Sequence, residues 1–131
     1  MLVGEAPPSS TADTADNRPL TAAYAAARMA RMIGADTTSF DGRDAVEAAR
    51  HVVSVMERRL AATIVKAAEA APEPPKRCYV GGAGEWLARR AATRALGGGC
   101  VRSLTEKLGR EASLCGPAWA VAWLAEGAPD A

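Results

Sequence analysis

Two short stretches of this chain hold residues whose types and spacing suit chemistry. The first is Arg77-Cys78-Tyr79-Val80-Gly81-Gly82-Ala83-Gly84-Glu85-Trp86-Leu87-Ala88-Arg89-Arg90, an apolar run, a glycine-rich turn and a helix-forming segment. Glycine lets a backbone approach a ligand closely, and the unpaired N–H groups of a helix's first turn, at the positive end of its dipole, favour an anion. Gly81, Gly82, Gly84 and Glu85 are therefore candidates to face a nucleotide or a diphosphate, although the same pattern also serves as a plain tight turn between strand and helix. The second stretch, Thr11-Ala12-Asp13-Thr14-Ala15-Asp16, is a doubled triplet that sets two carboxylates among hydroxyls. Asp13, Thr14 and Asp16 suit a substrate- or Mg²⁺-contacting loop, because hard cations take oxygen ligands and often bind through one or two carboxylates and a phosphate. Local Asx and Ser/Thr turns are the alternative for the same residues.

The remaining reactive side chains carry weaker signals. His51, the single histidine, sits mid-helix with no acid or thiol at catalytic spacing, which makes it an ordinary surface position. Cys78, Cys100 and Cys115 are odd in number and lack a C-x-x-C spacing, which points to free thiols in a reducing compartment rather than to a metal site. Sixteen basic and fifteen acidic residues leave a net charge of +1, too small a field to draw nucleic acid or an anionic membrane surface. The opening Met1-Leu2-Val3-Gly4-Glu5-Ala6-Pro7-Pro8 has neither a basic start nor a long apolar core, and no apolar run is long enough to span a bilayer. A soluble, cytoplasmic protein is expected.

The elements that position these residues follow from caps and periodicity. Residues 1–20 are expected to form a loop, since the Pro, Ser, Thr, Asp and Asn that fill residues 4–20 compete with regular pairing. Thr21 caps a helix over 22–33 that Gly34 ends, and Asp41 caps a longer one over 43–70. In the latter, Val46, Ala49, Val53, Met56, Leu60, Ile64 and Ala67 recur every three or four residues and form the packing stripe, with Arg50, Glu57 and Arg58 on the water side. Pro72, Pro74 and Pro75 stop the helix. A strand at Cys78–Val80, a helix over 85–96, a break at Gly97-Gly98-Gly99 and a second strand over 100–104 compose a parallel βαβ unit. A last helix over 113–127 has Pro117 at its first position and places Trp119 and Trp123 on one face, as core or as an aromatic wall for a flat ring. With only six aromatic residues, the core is thin for an enzyme standing alone.

Several of these segments together resemble a family. Thr11 to Thr21, the helical Arg31 to Asp36, Val80-Gly81-Gly82-Ala83-Gly84-Glu85-Trp86-Leu87-Ala88-Arg89 and Ala112 to Leu124 are similar to the C-terminal part of hydantoinase/oxoprolinase-like proteins linked to tetrahydromethanopterin-dependent C1 transfer. That family belongs to the acetate kinase, sugar kinase, heat-shock chaperone and actin superfamily, with a ribonuclease H-like ATPase fold. It is similar to the synthase that joins a furan-methyl diphosphate to glutamyl-tyramine in methanofuran biosynthesis, methylofuran being the bacterial counterpart. The resemblance implies an α/β chain, residues 21–131 forming a partial C-terminal actin-like domain. It implies that Gly81, Gly82 and Gly84 face ATP or a diphosphate, with Glu85 starting the helix behind them. It also places Asp13, Thr14 and Asp16 near an interdomain cleft that holds Mg²⁺. The first phosphate loop and the acidic residue of the family's N-terminal domain have no counterpart here, so the expected partner is a missing N-terminal half or an upstream subunit. A non-catalytic remnant or interaction module of the same fold is the alternative.

Overall fold

A computed structural model describes residues 2–3, 10, 14 and 16–125, and its contacts divide the chain into two compact units, Met1–Val55 and Met56–Ala131. It is an α/β structure, mostly helical, with a short parallel sheet.

In the first unit the expected caps do their work. The Thr21 hydroxyl accepts the Tyr24 N–H at 3.3 Å, starting α1 (Ala22–Met32), and Gly34 adopts a left-handed φ of +71° just beyond its end. Ala26 and Ala30 are the buried residues of α1. Between the helices, Asp36 Oδ1 accepts the Thr38 N–H at 3.0 Å and the Ser39 N–H at 2.9 Å, a local Asx turn. Asp41 then accepts the N–H groups of Arg43 and Asp44 while Asp44 accepts the Asp41 N–H, a reciprocal capping box that opens α2 (Gly42–Glu69). The division between the units falls within this helix.

The second unit carries the sheet. The strands β1 (Cys78–Val80) and β2 (Val101–Ser103) pair in parallel with Cys78 opposite Val101, Tyr79 opposite Arg102 and Val80 opposite Ser103. The connection runs through α3 (Glu85–Leu96) and a single 3₁₀ turn, Gly98–Cys100. After β2 come α4 (Leu104–Leu108), α5 (Arg110–Leu114) and α6 (Gly116–Ala125). Strand alternation turns Val80 and Val101 inward onto Ala92, with Ile64, Cys78 and Ala88 packed around them, while Tyr79 and Arg102 face the other way. Within the described residues, no helix is long and apolar enough to cross a membrane.

Four expectations need correction. The second strand is three residues long, because Ser103 caps α4 and Leu104 is already helical. The last helix is two helices, broken at Cys115, and Pro117 is the second residue of α6 rather than the first. The packing stripe of α2 is shifted. Met56 and Leu60 are exposed and Ala45 and Ala61 are buried. Glu57, expected on the water side, is only 14% exposed, because Arg90 and Arg94 of α3 grip its carboxylate at 3.0 and 3.4 Å. Finally, Trp119 and Trp123 do share a face, but they stack on each other with their rings 6.3 Å apart and stay 39% and 42% exposed.

Alanine is what lets α3 lie this close to the strands. Ala91 and Ala92 have no accessible surface, and Ala92 sits between Val80 and Val101. Enlarging such a site forces neighbours off their rotamers at about 1–3 kcal/mol. Ala92→Leu is expected to lower stability by that amount and Ala95→Leu, on the same helix, by less, as read from urea unfolding midpoints.

Candidate functional site

The site forms where the carboxyl ends of both strands meet the start of α3. Glu85 is the first residue of α3, where a negative charge complements the helix dipole. Its Oε2 accepts the Thr105 hydroxyl at 2.5 Å, the Thr105 N–H at 3.3 Å and the Ser113 hydroxyl at 3.2 Å, and its Oε1 accepts the Ser103 hydroxyl. Two of those hydroxyls work twice. Ser103 Oγ accepts the Glu106 N–H at 2.9 Å, capping α4, and Ser113 Oγ accepts the Gly82 N–H at 3.0 Å. One carboxylate thus connects the turn after β1, the end of β2 and α5. Partial burial works to raise the Glu85 pKa, but the hydroxyl and N–H donors from Ser103, Thr105 and Ser113 outweigh it and hold the carboxyl below its ordinary value.

The three glycines of the turn serve different needs. A Cβ on Gly81 would lie 2.8 Å from Leu104 Cδ1 and 3.0 Å from Ser113 Oγ, so α4 and α5 fill the space that a side chain would take. Gly82 has φ +84°, a conformation that L side chains rarely adopt, and its N–H already has Ser113 as partner. Gly84 has an ordinary φ of −95° and nothing within 4 Å of its Cβ direction, which makes it the open side of the turn.

Of the second expected cluster, Asp13 lies outside the described residues. Thr14 and Asp16 come together with α1. The Thr14 hydroxyl donates to the Arg18 carbonyl at 2.6 Å and lies 3.0 Å from Asp16 Oδ1, and the Asp16 carboxylate pairs with Arg28 at 3.0 Å and Arg31 at 2.5 Å. Desolvation alone would raise the Asp16 pKa, yet the hydroxyl of Thr14 and the two guanidinium groups bring it down to about 2. Both carboxylate oxygens therefore face cationic donors. His51 is exposed on α2, and the cysteines are free thiols.

The chain matches no family model, no curated protein and no solved structure. Its chemistry is accordingly read from its own geometry. The hydroxyl residues Ser103, Thr105 and Ser113 were not foreseen as part of the site. One signal for them stands in the sequence, since Ser103-Leu104-Thr105-Glu106 has the S-x-x-E spacing of a capping box.

The linkage of Glu85 to pH has a definite sign. Its carboxyl ionises at lower pH in the folded chain than in the unfolded one, so its network stabilises the fold above the ordinary glutamate value of 4.5. That contribution is lost as pH falls through the folded value. Because hydrogen bonds to charged groups are worth about 1.5–3 kcal/mol, Glu85→Ala is expected to cost about 2 kcal/mol at neutral pH and progressively less as pH is lowered through the folded value. Thermal melts of both proteins across that interval check it; parallel losses at both ends would exclude the ionic network as the cause.

Proposed function

We propose that the chain is the C-terminal component of a transferase that handles a diphosphate, or ATP, in a cleft completed by another domain. The single observation that carries this reading is the parallel β1–α3–β2 unit whose glycine turn opens at the carboxyl ends of the strands, the place where open α/β sheets bind ligands. The resemblance to hydantoinase/oxoprolinase-like proteins narrows the reading to methanofuran or methylofuran assembly. There an amine or phenol nucleophile forms a bond to the furan-methyl carbon as the carbon–oxygen bond to diphosphate breaks, and the nucleophile's proton leaves to solvent. The roles of this chain would be positioning and charge balance, which suffice for displacement of a phosphate leaving group. Gly84 offers the open approach, Glu85 fixes the turn without itself touching the ligand, and Mg²⁺ would arrive on the phosphate oxygens. Asp16, held by Arg28 and Arg31, would order its loop rather than bind the metal.

A second reading, an interaction module without a working cleft, is favoured by a specific observation. Packing against Leu104 and Ser113 accounts for Gly81, and the Gly82 N–H is already taken, so two glycines of the turn have reasons other than a ligand.

Gly84 separates the two. Gly84→Val places a branched side chain at the only one of the turn's glycines with both open space and an ordinary φ, so the fold should tolerate it. Calorimetric titration with Mg²⁺-diphosphate and Mg²⁺-ATP, using the chain together with the protein encoded directly upstream, is expected to show at least tenfold weaker binding in the variant at nearly unchanged melting temperature. Unaltered affinity, or no binding by the parent, would reject the transferase reading and leave the interaction module.

A further inference from the structure

The outer face of the β1–β2 pair carries a different set of groups from the turn. Tyr79 and Arg102 are register partners, and alternation points both away from α3. Two adjoining clefts of about 410 Å³ each lie over this face and share Tyr79 and Lys107. Each falls in the usual range for small-molecule sites. Their linings differ in kind. One is rimmed by Arg77, Arg102, Glu106 and Lys107; the other is walled by Leu104, Leu108, Trp119 and Trp123.

The charges at the polar end do not cancel. Glu106, the one acid among the described residues that line that cleft, is paired with Arg89 at 2.7 Å. Arg102 gives its guanidinium to the carbonyls of Gly99 and Val101, at 2.8 and 2.9 Å, and not to a carboxylate. The Lys107 ammonium stands 5.6 Å from the Tyr79 ring centroid, and neither it nor Arg77 has an acidic partner among the described residues. At the other end, Trp119 and Trp123 lie nearly parallel, 14° apart, and Tyr79 is 46% exposed. Uncompensated cations beside an apolar aromatic slot are complementary to one chemical class.

We propose that this face binds a planar aromatic ring bearing an anionic substituent, the ring lodged among Tyr79, Trp119 and Trp123 and the anion held by Arg77, Arg102 and Lys107. The site uses none of the residues from Gly81 to Glu85 and does not rest on the transferase reading. Ring stacking supplies the apolar part of the affinity, and Lys107, shared by both clefts, sets the distance between ring and anion.

Phenyl phosphate is the probe, with inorganic phosphate and phenol as its two halves. Titration of the full chain, followed by tryptophan fluorescence and calorimetry, is expected to give phenyl phosphate an affinity at least tenfold above either half. Arg77→Gln with Lys107→Gln should remove at least tenfold of that affinity, and Tyr79→Leu at least threefold, with circular dichroism unchanged. Arg77 and Lys107 are surface residues, so the double variant keeps its fold. Equal binding of phenyl phosphate and phosphate, or of phenyl phosphate and phenol, overturns the proposal, as does undiminished binding by the double variant. Sedimentation showing that a second copy occupies the tryptophan face, with no effect of the probe on association, would overturn it as well.

Discussion

The second unit depends on one carboxylate. Two three-residue strands provide few ladder hydrogen bonds, and parallel pairs are slightly weaker per residue than antiparallel ones. Glu85 adds what the sheet lacks, joining the start of α3 to Ser103 at the end of β2, to Thr105 in α4 and to Ser113 in α5. The segments it joins lie up to 28 residues apart in sequence. Because Ser113 also receives the Gly82 N–H, the turn, the sheet and α5 share a single polar network, and its members support one another in a partly dry environment.

Much of the fold was legible because it is written in local chemistry. Thr21 and Asp41 announce helices through their caps, three prolines stop α2, and Cys78–Val80 followed by glycines announces strand and turn. The misjudged parts depend on partners distant in sequence. Periodicity selects the large side chains Met56 and Leu60 as the packing stripe of α2, whereas the actual contact half-buries Glu57 against two arginines of α3. No rule of spacing reveals that, since the arginines stand 33 and 37 residues downstream. The division of the last helix at Cys115 is of the same kind, a tertiary adjustment that lets Ser113 reach Glu85.

The candidate site was legible in outline and not in mechanism. The sequence marks Gly81, Gly82, Gly84 and Glu85 as a unit, and they do form one turn. What spacing does not disclose is the separate reason for each glycine: close approach of Leu104 at Gly81, a left-handed backbone at Gly82 and open space at Gly84. Nor does it disclose that the acid at the helix start is consumed by hydroxyl groups. The Trp119/Trp123 wall stood among the alternatives, but its meeting with Tyr79 and the cations escaped, because Tyr79 and Arg102 become neighbours only through the parallel register.

The alanine-built interior has a thermodynamic consequence. The buried apolar residues are chiefly Ala26, Ala30, Ala45, Ala61, Ala91 and Ala92, and no large side chain among the described residues is fully enclosed. Each alanine withdraws little hydrocarbon from water, and heat capacity of unfolding scales with the apolar area exposed. The chain should therefore fall below the usual ~12–15 cal/mol/K per residue, and its stability curve should be broad and shallow, changing little between cold and warm conditions. A fold of this kind is held less by temperature-sensitive hydration than by hydrogen bonds and close backbone contact.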